Sequence, residues 1–167
     1  MALRLRCIAP EPRRMRFWTA VLALSCCTAS LAQTPQEHVH QMSHSVMPFD
    51  MSKTLHIFKM TESGGIQQVI VKDPGDTDQI LLIRRHLRYE AQRFEHGNYS
   101  DPAMLHGEDM PGLKDLQRGA SHIKVSYSTI PAGAEITFET EDRHLLTAIH
   151  RWFGAQLSEH GADAKAE

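Results

Sequence analysis

Twice along this chain a pair of β-rich runs around a tight turn is followed by an amphipathic helix, and no other feature restricts the possible folds as much. The first pair is "KTLHIFKM" and "IQQVIVKD" around "TESGG"; the second is "SHIKVSYSTI" and "EITFETED" around "PAGA". Glycine-bearing turns between runs of β-branched and aromatic residues are the signature of hairpins. After the first pair, "DTDQILLIRRHLRYEAQRFEHG" places Ile80, Ile83, Leu87, Ala91 and Phe94 at helical spacing, with Asp76 and Gln79 as a capping box and Gly97 as a stop. After the second, "RHLLTAIHRWFGAQLSEHG" carries Leu146, Ile149, Phe153 and Leu157 on its stripe, broadened by Leu145 and Trp152, and stops at Gly161. Hairpin strands that show one face to a core need helices to cover that face, so a duplicated ββα unit predicts an α+β two-layer sandwich. Its antiparallel sheet comes from the two hairpins, with two main helices on it. Between the halves, "NYSDPAMLHGEDMPGLKDLQRGA" holds a single helical turn at Asp101 and Pro102 and a short connector helix over 111–118.

The register of the repeat is set by burial rather than by letters. Sliding the helices by 64 residues aligns His86 with His150 and "EHG" with "EHG". It also turns the two apolar stripes about 200° apart at ~100° per residue. A slide of 66 superposes Ile80, Ile83, Leu87 and Ala91 on Leu146, Ile149, Phe153 and Leu157, the residues that packing can sense.

The first 32 residues have the form of a secretory signal: arginines, then the apolar run "FWTAVLALSCCTASLA", with Ser30 and Ala32 as small residues at a cleavage point. Met15 begins a complete signal of its own, so either methionine serves as the start. The pattern predicts a soluble, secreted, periplasmic product without a transmembrane segment. Cys7, Cys26 and Cys27 all fall in the removed part, which excludes a disulfide scaffold, a thiolate zinc site and a cysteine nucleophile. Residues 33–167 carry 13 Lys plus Arg against 19 Asp plus Glu, a net charge of −6, which disfavours nucleic acid and anionic membranes. They are read as a flexible arm over 33–53, a single domain over 54–161 and a frayed tail over 162–167.

All eleven histidines lie in that product. The arm contains "HVHQMSHSVM", residues 38–47. In an extended chain His38, His40, Met42 and His44 point the same way at about 6.6 Å intervals; in a helix His40, His44 and Met47 share a face. Imidazole accepts several metals, but thioether sulfur is soft, so His with Met and no cysteine points to copper first and zinc second. Met51 and His56 extend the set, and "LHGEDMPGL" adds His106 and Met110. The sharpest expectation is one site built from His44, Met47, His106 and Met110. The plain alternatives are a solvated histidine-rich tail and a turn whose Met110 plugs the core. His96 and His160 precede stop glycines, where an imidazole suits the negative helix end; His86 and His150 lie at stripe edges as half-buried, hydrogen-bonded histidines. His56 is a core or edge histidine unless the arm folds over it.

No glycine-rich phosphate loop, G-x-S-x-G elbow or H-E-x-x-H helix is present. "MSHSVMPFDMSKTLHIF", "LHGEDMPGL" and "AIHRWFGAQLSEHG" resemble a group of small exported proteobacterial proteins of unknown function, a resemblance that extends over nearly all of residues 33–167. Some members carry the name aspartate carbamoyltransferase. Carbamoyltransferase catalytic chains are far longer, cytosolic, and bind carbamoyl phosphate through an S-T-R-T-R string absent here, so the resemblance implies no catalytic residue. The sequence thus predicts a periplasmic copper-binding protein for buffering, tolerance or delivery. A module that binds an envelope protein or small ligand is the alternative, and an enzyme acting through His106 or His150 is a third reading.

Overall fold

The computed structural model describes residues 34–167; the segment expected to be a secretory signal and the three cysteines lie outside them. The described chain runs α1 (Pro35–Ser43), β1 (Thr54–Thr61), β2 (Gly64–Val71), α2 (Thr77–Glu95), α3 (Ser100–His106), α4 (Leu113–Gly119), β3 (Lys124–Ile130), β4 (Gly133–Glu139), α5 (Arg143–His160) and β5 (Ala164–Ala166). Both hairpins form, each with a two-residue turn: Thr61 faces Gly64, and Ile130 faces Gly133. They join along an antiparallel β2–β4 ladder, giving the order β3-β4-β2-β1-β5. The α+β sandwich expected from the duplication is therefore present. α2 packs over β3 and β4, and α5 over β1, β2 and β5. Each long helix thus covers strands of the other half, so neither ββα unit closes its own core.

Helix α2 buries Ile80, Ile83, Leu87, Ala91 and Phe94 as the spacing predicts, and Glu90 with them. The stripe of α5 is rotated from its expected centre: Leu145, Ala148, Ile149, Trp152, Phe153, Gln156 and His160 are buried, while Leu146 and Leu157 are half-buried. The Trp152 indole causes this. It sits edge-on to Phe94, Tyr99 and Phe138, with centroids 5.7, 5.5 and 5.6 Å away, a geometry that aromatic quadrupoles favour. The 66-residue register still holds for burial, since Ile83, Leu87, Glu90 and Phe94 fall on Ile149, Phe153, Gln156 and His160, all buried.

Two terminal segments differ from expectation. Residues 33–53, read as a flexible arm, contain helix α1, started by a full capping box in which Thr34 Oγ1 accepts from Glu37 N and Glu37 Oε2 accepts from Thr34 N. It packs on α5 and α3 through Val39 and Ser43, each 1% exposed. The strap after it buries Phe49 and Met51. Gln79 Oε1 accepts from Asp50 N at 2.7 Å, so the glutamine expected to complete the α2 capping box holds the strap instead. Residues 162–167, read as a frayed tail, form a 3-10 turn and β5, which pairs in parallel with β1. The reason is the open β1 edge, whose carbonyls and amides need partners. Among the described residues no helix is long and apolar enough to cross a membrane.

A docked strap and a loose arm differ measurably in what they contribute to stability. Phe49→Ala should lower the free energy of unfolding by about 3–5 kcal/mol in denaturant titration, the usual cost of emptying a buried phenylalanine site. A change within about 0.5 kcal/mol, as at exposed positions, would restore the loose arm.

Candidate functional site

In one place the core is polar. Where the strap, α2, α3, α5 and the sheet meet, a cavity of about 40 Å³ remains; its volume is on the order of three water-sized spheres. Strand alternation aims His56 from β1 and Gln67 from β2 into the core layer. Glu90 follows Leu87 on the buried stripe of α2, and Gln156 follows Trp152 on that of α5. His86, Asp101, His106 and Trp152 complete the polar wall, and Met47 and Phe49 of the strap close it.

Five atoms on this wall are buried without a hydrogen-bond partner: His56 Nδ1, Gln67 Oε1, Glu90 Oε2, Trp152 Nε1 and Gln156 Nε2. Such atoms are exceptional in a folded core, and each left unmet costs about 1–3 kcal/mol. The acids are arranged asymmetrically. Arg93 Nη1 lies 2.8 Å from Asp101 Oδ1 and 3.3 Å from Glu90 Oε1. Burial pushes Glu90 up to about 8, and the neighbouring Asp101 reinforces the shift by its charge and by a hydrogen bond that the protonated form makes. Glu90 is therefore protonated at neutral pH. Burial lowers His86 and His106 to about 4 and His160 to about 3, and it drives His56 well below the usual imidazole range. All four are neutral at pH 7.

His106 is held by Glu159 Oε2, 2.7 Å from its Nδ1, so Nδ1–H donates and Nε2 keeps its lone pair. An imidazole oriented by a carboxylate at a cavity is the arrangement of a general base, yet no hydroxyl, thiol or amine side chain lines this cavity to serve as nucleophile. His160 lies between His106 and His56, stacked on the His56 ring with centroids 4.6 Å apart and tilted to the His106 ring 5.1 Å away. It is buried at the foot of α5 rather than facing solvent at the helix end. His96 takes the helix-end role instead, with Nδ1 2.7 Å from Gln92 O. His150 is half-buried, and its Nε2 lies 2.8 Å from Gly64 O and 3.1 Å from Thr61 O; it takes no part in the cavity wall.

Of the nominated metal ligands, Met47, His56 and His106 reach the cavity wall. His38, His40 and His44 are exposed on or just after α1, and Met42 is half-buried beside them. The His40 and His44 rings lie 6.4 Å apart, edge to face, so the helical alternative for that stretch is the one adopted. Met51 and Met110 are buried in the apolar core. His44 and Met110 stand outside the cavity wall, so the set His44, Met47, His106 and Met110 does not surround one point; the thioether of Met110 plugs the core instead. Among the described residues no group of three or more His, Cys, Asp or Glu side chains is arranged to hold a metal ion. Comparison of the chain with protein-family models, curated proteins and solved structures finds no match.

His86, Glu90 and Gln156, which sequence reasoning passed over as site residues, share a readable signal: each is polar and lies on or beside a stripe that burial requires to be apolar. The shifted groups also set the pH range of stability. Histidines whose folded values lie below the unfolded 6.5 let the unfolded chain bind more protons in acid, so their contribution is present above pH 6.5 and lost as pH falls through about 4. Glu90 acts in the opposite sense: its contribution is present below 4.5 and lost as pH rises through about 8. The melting temperature should therefore decline on both sides of neutral pH, and Glu90→Gln should flatten the alkaline limb alone. An unchanged alkaline limb in that variant would contradict the assignment.

Proposed function

We propose that this is an exported binding protein that encloses a small ligand in the cavity beneath the strap. The observation that carries the reading is the convergence of five partnerless buried polar atoms on one cavity. Scattered singly they would be packing faults; gathered together they describe the complement of a molecule. A ligand that met them would recover the desolvation they cost. The strap supplies the way in, because Val46, Met47 and Phe49 form part of the wall on a segment docked through few residues.

A second reading keeps copper as the cargo, for buffering, tolerance or delivery in the periplasm. Met47, His56, His86 and His106 line the same cavity. Neutral imidazoles are ready ligands, and a thioether among them selects copper(I) over zinc.

Titration of the chain with Cys7, Cys26 and Cys27 changed to Ser, so that no thiol competes for the metal, with copper(I), copper(II) and zinc against competing chelators separates the two readings. Capture of an organic ligand predicts weak binding of several metal equivalents, indifferent to Met47→Leu with His86→Gln. Tight one-to-one copper(I) binding that this pair of changes abolishes would replace that reading with metal handling.

A further inference from the structure

The groups facing the cavity also restrict what could fill it, an argument that rests on the proposed ligand site. Charge comes first. No Lys or Arg side chain lines the cavity, so an anion would enter without a counter-charge, at the high cost of an unpaired buried ion. A cation fares little better, since the Asp101 carboxylate is already matched by Arg93 at 2.8 Å. The fixed point of the hydrogen-bond pattern is Trp152, whose indole N–H can only donate. The occupant must therefore offer an acceptor, which a simple ammonium lacks.

The full inventory is narrower still. Trp152 Nε1 and Gln156 Nε2 are unmet donors, Gln67 Oε1 is an unmet acceptor, the protonated Glu90 carboxyl offers an O–H as well as lone pairs at Oε2, and His56 Nδ1 donates or accepts according to its tautomer. A primary carboxamide meets this set: its oxygen carries two lone pairs for Trp152 and Gln156, and its nitrogen carries two hydrogens for Gln67 and the lone pairs of Glu90. A lone hydroxyl has one hydrogen to give. Size agrees, since about 40 Å³ suits roughly three or four non-hydrogen atoms. Val69, Leu87 and Ile136 add an apolar side for a methyl group. We propose that the cavity binds a small neutral molecule of the primary amide or urea class, with its carbonyl toward Trp152 and Gln156 and its N–H groups toward Gln67 and Glu90.

A ligand of this size binds no tighter than roughly tens of micromolar, given the ceiling on affinity per atom. Calorimetry and ligand-observed NMR of the full-length chain with acetamide and urea provide the test, with acetate, methylammonium and ethylene glycol as comparisons. Acetamide or urea should bind one to one, and Trp152→Phe or Gln67→Met should each weaken that binding about tenfold. Should Trp152→Phe fail to fold, the near-isosteric Gln67→Met decides the matter. Equal or tighter binding of acetate, methylammonium or ethylene glycol would overturn the amide assignment while leaving a ligand site in place. If none of the five probes binds and copper(I) does not bind either, both the assignment and the ligand site fall.

Discussion

The β2–β4 ladder is the joint on which the molecule depends, and glycine permits it. Each second strand begins with one, Gly64 in β2 and Gly133 in β4. A Cβ at Gly64 would lie 1.9 Å from Phe138 O, and one at Gly133 would lie 2.0 Å from Val69 O. At both ends of the ladder, then, the partner backbone occupies the space a side chain would need. Fixing this ladder fixes the register that sets Val69 opposite Ala134 and Gln67 opposite Ile136. Because a one-residue slip would send every core side chain to the other face, the same glycines determine that Gln67 points into the cavity.

The halves then exchange helices, and this exchange makes the polar site. α2 reaches over β3 and β4, while α5 reaches over β1, β2 and β5. In the 66-residue register Glu90 of α2 and Gln156 of α5 are equivalent positions, and both face one cavity with Gln67 from the central strand between them. A duplicated scaffold thus offers two related polar positions to a single space. Among the described residues, five of the buried side-chain polar atoms without partners lie on this wall, and the others are Tyr99 Oη, Tyr127 Oη and the two ring nitrogens of His160.

Much of the fold was legible because its signals are local. Turn glycines, strand alternation and the α2 stripe Ile80, Ile83, Leu87, Ala91 and Phe94 depend on neighbours within a few residues. What escaped is what distant contacts decide. α1 has little apolar periodicity, and only its packing on α3 and α5 reveals why Val39 and Ser43 are buried. β5 is a strand because the β1 edge needs a partner. The cavity is legible only once burial is known, since Glu90 and Gln156 look like ordinary surface residues until the stripe is traced through them. The strap lies over His56: Phe49 stands 6.0 Å from its ring, and the side chain is buried.

The least firmly held elements are those that close the site. α1 docks through Val39 and Ser43, and its exposed side carries His38, His40 and His44. Asp163, just before β5, is its anchor: Gln36 Nε2 donates to Asp163 Oδ2 at 3.4 Å, His40 Nδ1 stands 4.0 Å away, and Lys72 Nζ reaches Oδ1 at 3.4 Å. Long, half-exposed polar contacts of this kind contribute little each, so this corner should open at lower free energy than the β2–β4 joint. The strap that follows α1 forms the cavity wall, and its release would expose the interior without disturbing the sheet. The weak ties thus belong to α1, whereas the strap after it is held by Phe49 and Met51 in the core and by the Asp50–Gln79 hydrogen bond, so opening of this corner should begin at α1.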